Sequence, residues 1–218
     1  RFDDRIIGQT EKFGKNASII HIDIDPSEMN KMIVPDVQII GDARAALLEL
    51  NKRVEKLDTG EWLKHLAGYK KKYPLHYKKQ GGLRMQQVID ELYILTRGEA
   101  IIATDVGQHQ MWAAQFYKCN APHRWLSSGG AGTMGFGFPA AIGAQFACPE
   151  ELVVAIVGDG GFQMTLFELA TAALHKLPLK ILVLNNHYLG MVRQWQELFF
   201  DERLVVRAAL DCLEGARP

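Results

Sequence analysis

Asp159 and Asn186 are the residues whose types and setting point most directly to chemistry. Asp159 stands in the run Gly158-Asp159-Gly160-Gly161, and Asn186 closes the pair Asn185-Asn186. A carboxylate and an amide oxygen are hard ligands suited to Mg²⁺, which takes few protein ligands and completes its octahedron from water and phosphate. The glycines allow a diphosphate to approach the backbone, and neighbouring amides help to hold it. Taken singly, the first piece reads better as a turn and the second as a strand-end loop.

The segment between them makes the pair informative. Leu152 to Val157 is a continuous apolar run, which predicts a strand covered on both faces. Thr165 with Glu168 three residues on has capping-box spacing and predicts a helix to about Lys176. Pro178 closes the connection, and Leu179 to Leu184 reads as a second apolar strand. Such a βαβ unit leaves its strands parallel. Asp159 and Asn186 then lie just beyond two carboxyl ends, where open α/β sheets bind ligands.

Composition is that of an ordinary globular chain, with 48% apolar and 23% charged residues among 218. The 25 basic and 25 acidic side chains cancel, which gives no reason to expect a nucleic-acid or anionic-membrane partner. No apolar run reaches the roughly 20 residues of a membrane span. Cys119, Cys148 and Cys212 have no CxxC spacing, so a reducing compartment is expected over a disulfide framework. The chain begins at Arg1, so a targeting segment could precede what is seen.

Residues 1–57 read as the C-terminal part of one α/β domain. Ser18 to Asp25 and Val37 to Ile40 are predicted strands, Pro26-Ser27 starts a short helix, and Ala43 to Leu57 is a helix with Ala46, Leu47, Leu50 and Val54 on one face. Two or three strands are too few for a core of their own, so more of this domain is expected upstream. Residues 58–82 are polar and basic and read as a linker with a short helix around Trp62 to Tyr69. Its Lys70-Lys71-Lys72 and Lys78-Lys79 are most simply a solvated connector. The second domain, 83–218, opens with a helix Met85 to Leu95 and a strand Ala100 to Thr104, followed by Asp105-Val106-Gly107-Gln108-His109. A glycine-rich turn spans Gly129 to Gly137, and Pro139 marks the start of the next helix.

Several segments together resemble the catalytic subunit of the acetohydroxyacid synthase (acetolactate synthase) family, which uses thiamine diphosphate (ThDP). They are RFDDR at Arg1 to Arg5, HIDID at His21 to Asp25, GQHQMWAAQF at Gly107 to Phe116, SGGAGTMGFGFPAAIGA at Ser128 to Ala144, GDGGFQMT at Gly158 to Thr165 and LNNHYLGMVRQWQ at Leu184 to Gln196. The GDG…NN pattern marks only the ThDP superfamily, whereas RFDDR and GMVRQWQ are narrower.

The resemblance implies an α/β fold of three-layer parallel sheets with helices on both faces, comprising part of an FAD-binding middle domain and a ThDP/Mg domain. It implies that Asp159, Asn186 and the carbonyl of Tyr188 bind Mg²⁺. Gln108, His109, Gly160, Gly161 and Leu189 would line the diphosphate, and the carbonyl of Gly132 would receive the aminopyrimidine's amino group. Met134 would be the apolar wedge that folds the cofactor, a gap-filling role suited to a flexible thioether. Read from the residues alone, Met134 is equally a core side chain. Met191 and Trp195 would border the substrate channel, with Trp195 favouring 2-ketobutyrate. Asp4, Arg5, Ile6, Asp23, Ile24, Asp42 and Ala43 would touch FAD, although Asp23 reads as well as a surface strand residue and Arg5 as a salt-bridge partner. No role is assigned to His187.

The implied reaction is decarboxylation of pyruvate and ligation to pyruvate or 2-ketobutyrate, in branched-chain amino-acid synthesis. Homodimers or homotetramers and a regulatory small subunit would follow, in the cytoplasm of a bacterium or in a plastid or mitochondrion. Pyruvate oxidase, glyoxylate carboligase and FAD-independent acetolactate synthase share the core, but RFDDR and RQWQ argue against them. A non-catalytic ThDP-binding module is the alternative from another class. The glutamate that activates ThDP in the family belongs to a pyrimidine-binding domain, and Glu168, Glu197 and Glu202 are not placed to replace it. From Leu204 to Pro218 the sequence is expected to leave the family pattern.

Overall fold

The computed structural model describes residues 2–77 and 81–201. The chain divides into two compact units, Arg1–Pro74 and Leu75–Pro218. Lys78, Lys79, Glu202, Arg203 and the Leu204 to Pro218 stretch lie outside the described residues.

The first unit contains α1 (Asp4–Ile7), β1 (Ile20–Asp23), β2 (Val37–Ile40), α2 (Ala43–Asn51) and α3 (Gly60–Lys72). β1 and β2 pair in parallel from Ile20 opposite Val37 to Asp23 opposite Ile40. β1 is shorter than the Ser18 to Asp25 strand expected, because Asp23 and Asp25 turn the chain with their own side chains. Asp23 accepts from the Asp25 amide at 2.9 Å, and Asp25 accepts from the Ser27 amide at 2.8 Å to cap a 3₁₀ turn at Pro26–Glu28. The strand buries His21 and leaves Ile20 exposed, with the His21 ring edge-on to Phe2 at 4.9 Å. Asp42 caps α2 by accepting from the Ala45 amide at 2.9 Å. That helix stops at Asn51, short of Leu57, and of its predicted apolar face only Ala46 and Leu50 are partly covered. Two four-residue strands offer little surface for a further turn to cover. α3 outruns the Trp62 to Tyr69 expectation at both ends and is exposed throughout.

The second unit contains α4 (Met85–Thr96), β3 (Ile101–Thr104), α5 (Gln108–Phe116), β4 (Trp125–Ser127), α6 (Gly137–Ala147), β5 (Val153–Gly158), α7 (Asp159–Met164), α8 (Leu169–Leu174), β6 (Lys180–Leu184) and α9 (Gly190–Phe199). Its sheet runs β4-β3-β5-β6 with every neighbouring pair parallel. Val154 and Ile156 of β5 join Ile102, Ile89 of α4, and Ala113 with Tyr117 at α5. Val153, Ala155 and Val157 join Ile101, Ala103, and Phe138, Ala141 and Ile142 of α6 on the other face. Helices on both faces are the physical reason that β5 reads as an unbroken apolar run.

The βαβ connection differs from the capping-box expectation. The Gly158-Asp159 break is the start of a helix, α7, and Thr165 ends it with no side-chain cap bond. A short 3₁₀ turn and α8 replace the single helix to Lys176. The Thr165 hydroxyl donates instead to the Gly135 carbonyl at 3.3 Å, and Glu168 accepts from the Thr171 hydroxyl at 2.9 Å. A partner distant in sequence takes the group that local spacing assigned to the cap. α6 likewise begins at Gly137, so Pro139 is its third residue and still needs no intrahelical donor.

Phe138 is fully buried and meets Phe162 edge-on at 5.4 Å. Phe138→Ala should cost about 3–5 kcal/mol of stability, through lost transfer energy and the cavity left behind. Denaturant unfolding should show a lower midpoint with an unchanged slope.

Candidate functional site

The strand register sets the site. Gly158 pairs with Leu184 at the carboxyl ends of β5 and β6, so Asp159 and Asn186 follow adjacent strand ends. Beside them, β3 ends at Thr104 and passes through Asp105 to Gln108 and His109, the first residues of α5. A cavity of about 230 Å³ opens at this edge. Gln108, His109, Gly132, Met134, Asp159, Gly160, Gly161, Asn186, Tyr188, Leu189 and Met191 all line it. Trp195 does not: it is 59% exposed on α9, with its ring 5.4 Å from Phe199. His187 is exposed with φ +61°, a conformation stabilised locally by its amide donating to Asn185 at 2.9 Å.

The polar groups are incompletely satisfied. Asp159 is buried, and its Oδ2 has no hydrogen-bond partner. Asn186 Oδ1 accepts from the Tyr188 amide at 3.1 Å, and its Nδ2 donates to Gln108 Oε1 at 3.4 Å. One lone pair of the amide oxygen therefore remains. His109 bonds to the Asp105 backbone, while its Nε2 is buried without a partner. Burial pushes the His109 imidazole below its usual pKa, against the opposing pull of the Asp105 and Asp159 carboxylates.

Backbone is packed close to these side chains. A Cβ on Gly158 would fall 2.9 Å from the His109 ring, and one on Gly160 would fall 2.9 Å from Leu189. Cβ atoms on Gly161 and Gly190 would collide with Asp105 and Gln108. At the rim, the Arg193 guanidinium lies 4.0 Å from the Tyr188 ring centroid and pairs with Glu197 at 2.6 Å. Among the described residues, no three His, Cys, Asp or Glu side chains gather as a metal-binding group. Any cation here would therefore rely on Asp159, amide and backbone oxygens, water and its own ligand.

In the first unit, Asp23 and Ile24 leave β1 beside Gly41, Asp42 and Ala43, which leave β2. The Gly41 amide donates to the Asp23 carbonyl at 2.9 Å. The hydrogen bond from the Asp25 backbone holds the Asp23 carboxyl below the usual range. Ile6, Ile24 and Ala43 are exposed. Asp4 and Arg5 open α1, and their side chains lie outside the described set.

The site is thus a glycine-lined cavity at the carboxyl edge of a parallel sheet, with the buried, incompletely bonded carboxylate of Asp159 in its wall. The chain belongs to the thiamine pyrophosphate enzyme family: its C-terminal TPP binding domain matches residues 105–214, and its central domain matches residues 1–50. The first match runs beyond Arg203, where departure from the family pattern was expected. Among individual proteins, the chain is 52% identical over 207 residues to acetolactate synthase 3, chloroplastic, of Brassica napus, covering 92% of this chain and 32% of that protein. It is 48% identical to the acetolactate synthase large subunit of Lactococcus lactis, covering 93% and 36%. Identity to the Mycobacterium leprae acetolactate synthase is also 48%, covering 93% and 34%. The chain thus spans about a third of the length of the relatives it matches.

Asp105 is the site residue that sequence reasoning passed over. Its place in the sequence suggests no role, yet it is completely buried against the cavity's supporting backbone. Only its position before Val106-Gly107 at a strand end could have drawn notice.

Gly158→Ala should force the His109 ring aside, since its methyl has no room. Thermal unfolding should occur at lower temperature, and the His109 ring-proton signals should shift in NMR spectra.

Proposed function

We propose that the chain is the ThDP- and Mg²⁺-binding part of an acetolactate synthase, which decarboxylates pyruvate and ligates the product to a second 2-ketoacid. The observation that carries this reading is the single cavity lined by all the side chains and glycines that the resemblance assigns to ThDP, from Gln108 to Met191. The donor set fits Mg²⁺. Asp159 supplies an unpartnered carboxylate oxygen, Asn186 a remaining lone pair, and Tyr188 a backbone carbonyl. When bound, ThDP supplies the carbanion-stabilising chemistry.

The chain's own residues bind, orient and exclude water. The first residues of α5 and α9 line the cavity, and helix N-termini suit a diphosphate. Gln108 links Asn186 to Gln194 of α9, joining the metal loop to the cavity wall. Met134 gives the cavity an apolar lining, and His109 lines it with Nε2 unpartnered. Met191 borders the substrate. Trp195 acts from the rim, favouring 2-ketobutyrate as the second substrate.

FAD is assigned to the carboxyl edge of β1 and β2, with Asp23, Ile24, Asp42 and Ala43 at the strand ends and Asp4, Arg5 and Ile6 in α1. Catalytic subunits would pair as dimers or tetramers and take a regulatory subunit. The compartment would be a plastid or bacterial cytoplasm, in keeping with the relatives named above, or a mitochondrion.

Two outcomes test this reading. Asp159→Ala in the full chain should abolish Mg²⁺-dependent ThDP binding by calorimetry, because too few hard oxygens remain; unchanged affinity would sink the assignment. The second concerns the carboxylate that activates the aminopyrimidine. Asp159 is the sole acid lining the cavity among the described residues, and Glu197 is paired with Arg193. Proton transfer requires hydrogen-bond reach. The 218 residues alone, given pyruvate, ThDP, Mg²⁺ and FAD, should therefore form no acetolactate. Turnover that Asp159→Ala removes would show that an acid of this chain does reach the ring.

A further inference from the structure

Asp105 is completely buried, and none of the ion pairs among the described residues includes it. Its backbone amide donates to Ile156 of β5 at 2.9 Å, which anchors it at the strand ends. Its Oδ1 accepts from the Gly135 amide at 2.8 Å, in a bond that is itself buried. Its Oδ2 has no hydrogen-bond partner and occupies the place where a side chain on Gly161 would stand. Gly137 packs equally closely on its backbone, with room for no Cβ.

A buried carboxyl with one hydrogen bond and no cation is a poor way to stabilise a core. What it touches gives the better account. Gly135 follows Met134 directly and has φ +86°, a conformation that other residues rarely adopt. Its amide is held by Asp105 and its carbonyl by the Thr165 hydroxyl. The two peptides flanking Gly135 are therefore each held from a different element, the one after Met134 by Asp105. Gly161, two residues after Asp159, rests on the other oxygen of the same carboxyl.

We propose that Asp105 is a positioning residue for the cofactor cradle, fixing Met134 through the Gly135 amide and seating the turn that carries Asp159. The inference rests on the cavity being the ThDP site, and it assigns Asp105 no contact with cofactor or substrate. Its acceptor oxygen is what matters, so an amide of the same shape can serve while a methyl cannot.

The test compares Mg²⁺-ThDP affinity by calorimetry for the full chain and for Asp105→Ala, Asp105→Asn and Asp159→Ala, with thermal unfolding of each in the absence of cofactor. Asp105→Ala strands a buried amide and should weaken ThDP binding by about tenfold or more. Asp105→Asn should bind within about threefold of the parent, a rescue that separates positioning from charge. If Asp105→Ala fails to fold, the Asn variant carries the test alone: affinity near the parent's supports the proposal, and a loss of tenfold overturns it. Parent-like binding by a folded Asp105→Ala would also overturn it. Asp159→Ala separates the two readings. If Asp159→Ala binds as the parent does, the site assignment fails; if it loses binding while Asp105→Ala keeps it, only the positioning role fails.

Discussion

β5 is hydrogen-bonded on both edges and buried on both faces, and the rest of the second unit is built outward from it. Its pairing with β3 places Thr104 opposite Ile156, and its pairing with β6 places Gly158 opposite Leu184. Those registers bring the segments after β3, β5 and β6 to one edge. They deliver the α5 turn, Asp159 and Asn186 to the same cavity. A slip of one residue would exchange the faces of β5, sending Val154 and Ile156 toward α6 and Val153, Ala155 and Val157 toward α4 and α5. The cores on the two sides are made of different helices, so the register that buries them also fixes the site.

How legible a feature was in the sequence followed from how local its cause is. β5 and β6 could be read because double burial leaves a mark on every residue. Asp159 and Asn186 could be placed because each lies a fixed step beyond such a strand. Thr165 misled because its spacing from Glu168 satisfies a local template, while its hydroxyl serves Gly135, thirty residues away. β4 is only three residues long, and Gly190 at the head of α9 reads as a breaker. In the first unit, the apolar/polar alternation from Ile20 to Asp25 marks β1 as a strand. It could not show that His21 is buried and Ile20 exposed, since that depends on Phe2 and not on hydropathy.

Buried polar atoms without partners occur in both units, and three of them gather at the carboxyl edge of the second unit's sheet. Within the second unit's sheet, buried apolar side chains meet apolar partners, and Gln145 holds the turn after α6 by donating to the carbonyls of Cys148, Pro149 and Glu151, although its own Oε1 is buried without a partner. At the carboxyl edge, Asp105 Oδ2, His109 Nε2 and Asp159 Oδ2 are all buried without partners. Native proteins leave few such atoms, and each normally has a reason. Three within one small region mean that the fold tolerates a local cost there, as functional sites do.

The close-packed glycines explain how that cost is contained. Gly137, Gly158, Gly161 and Gly190 each bring backbone to within a side chain's radius of Asp105, His109 or Gln108. Packing that tight leaves the polar side chains little freedom to turn away from one another. The carboxylates and imidazole are thereby held in place before anything binds, and a bound group gains their interactions without ordering them first. The rim has no such constraint. Tyr188 and Trp195 are exposed on a single helix and its leading loop, so changes there can reshape the entrance while the buried floor stays as it is.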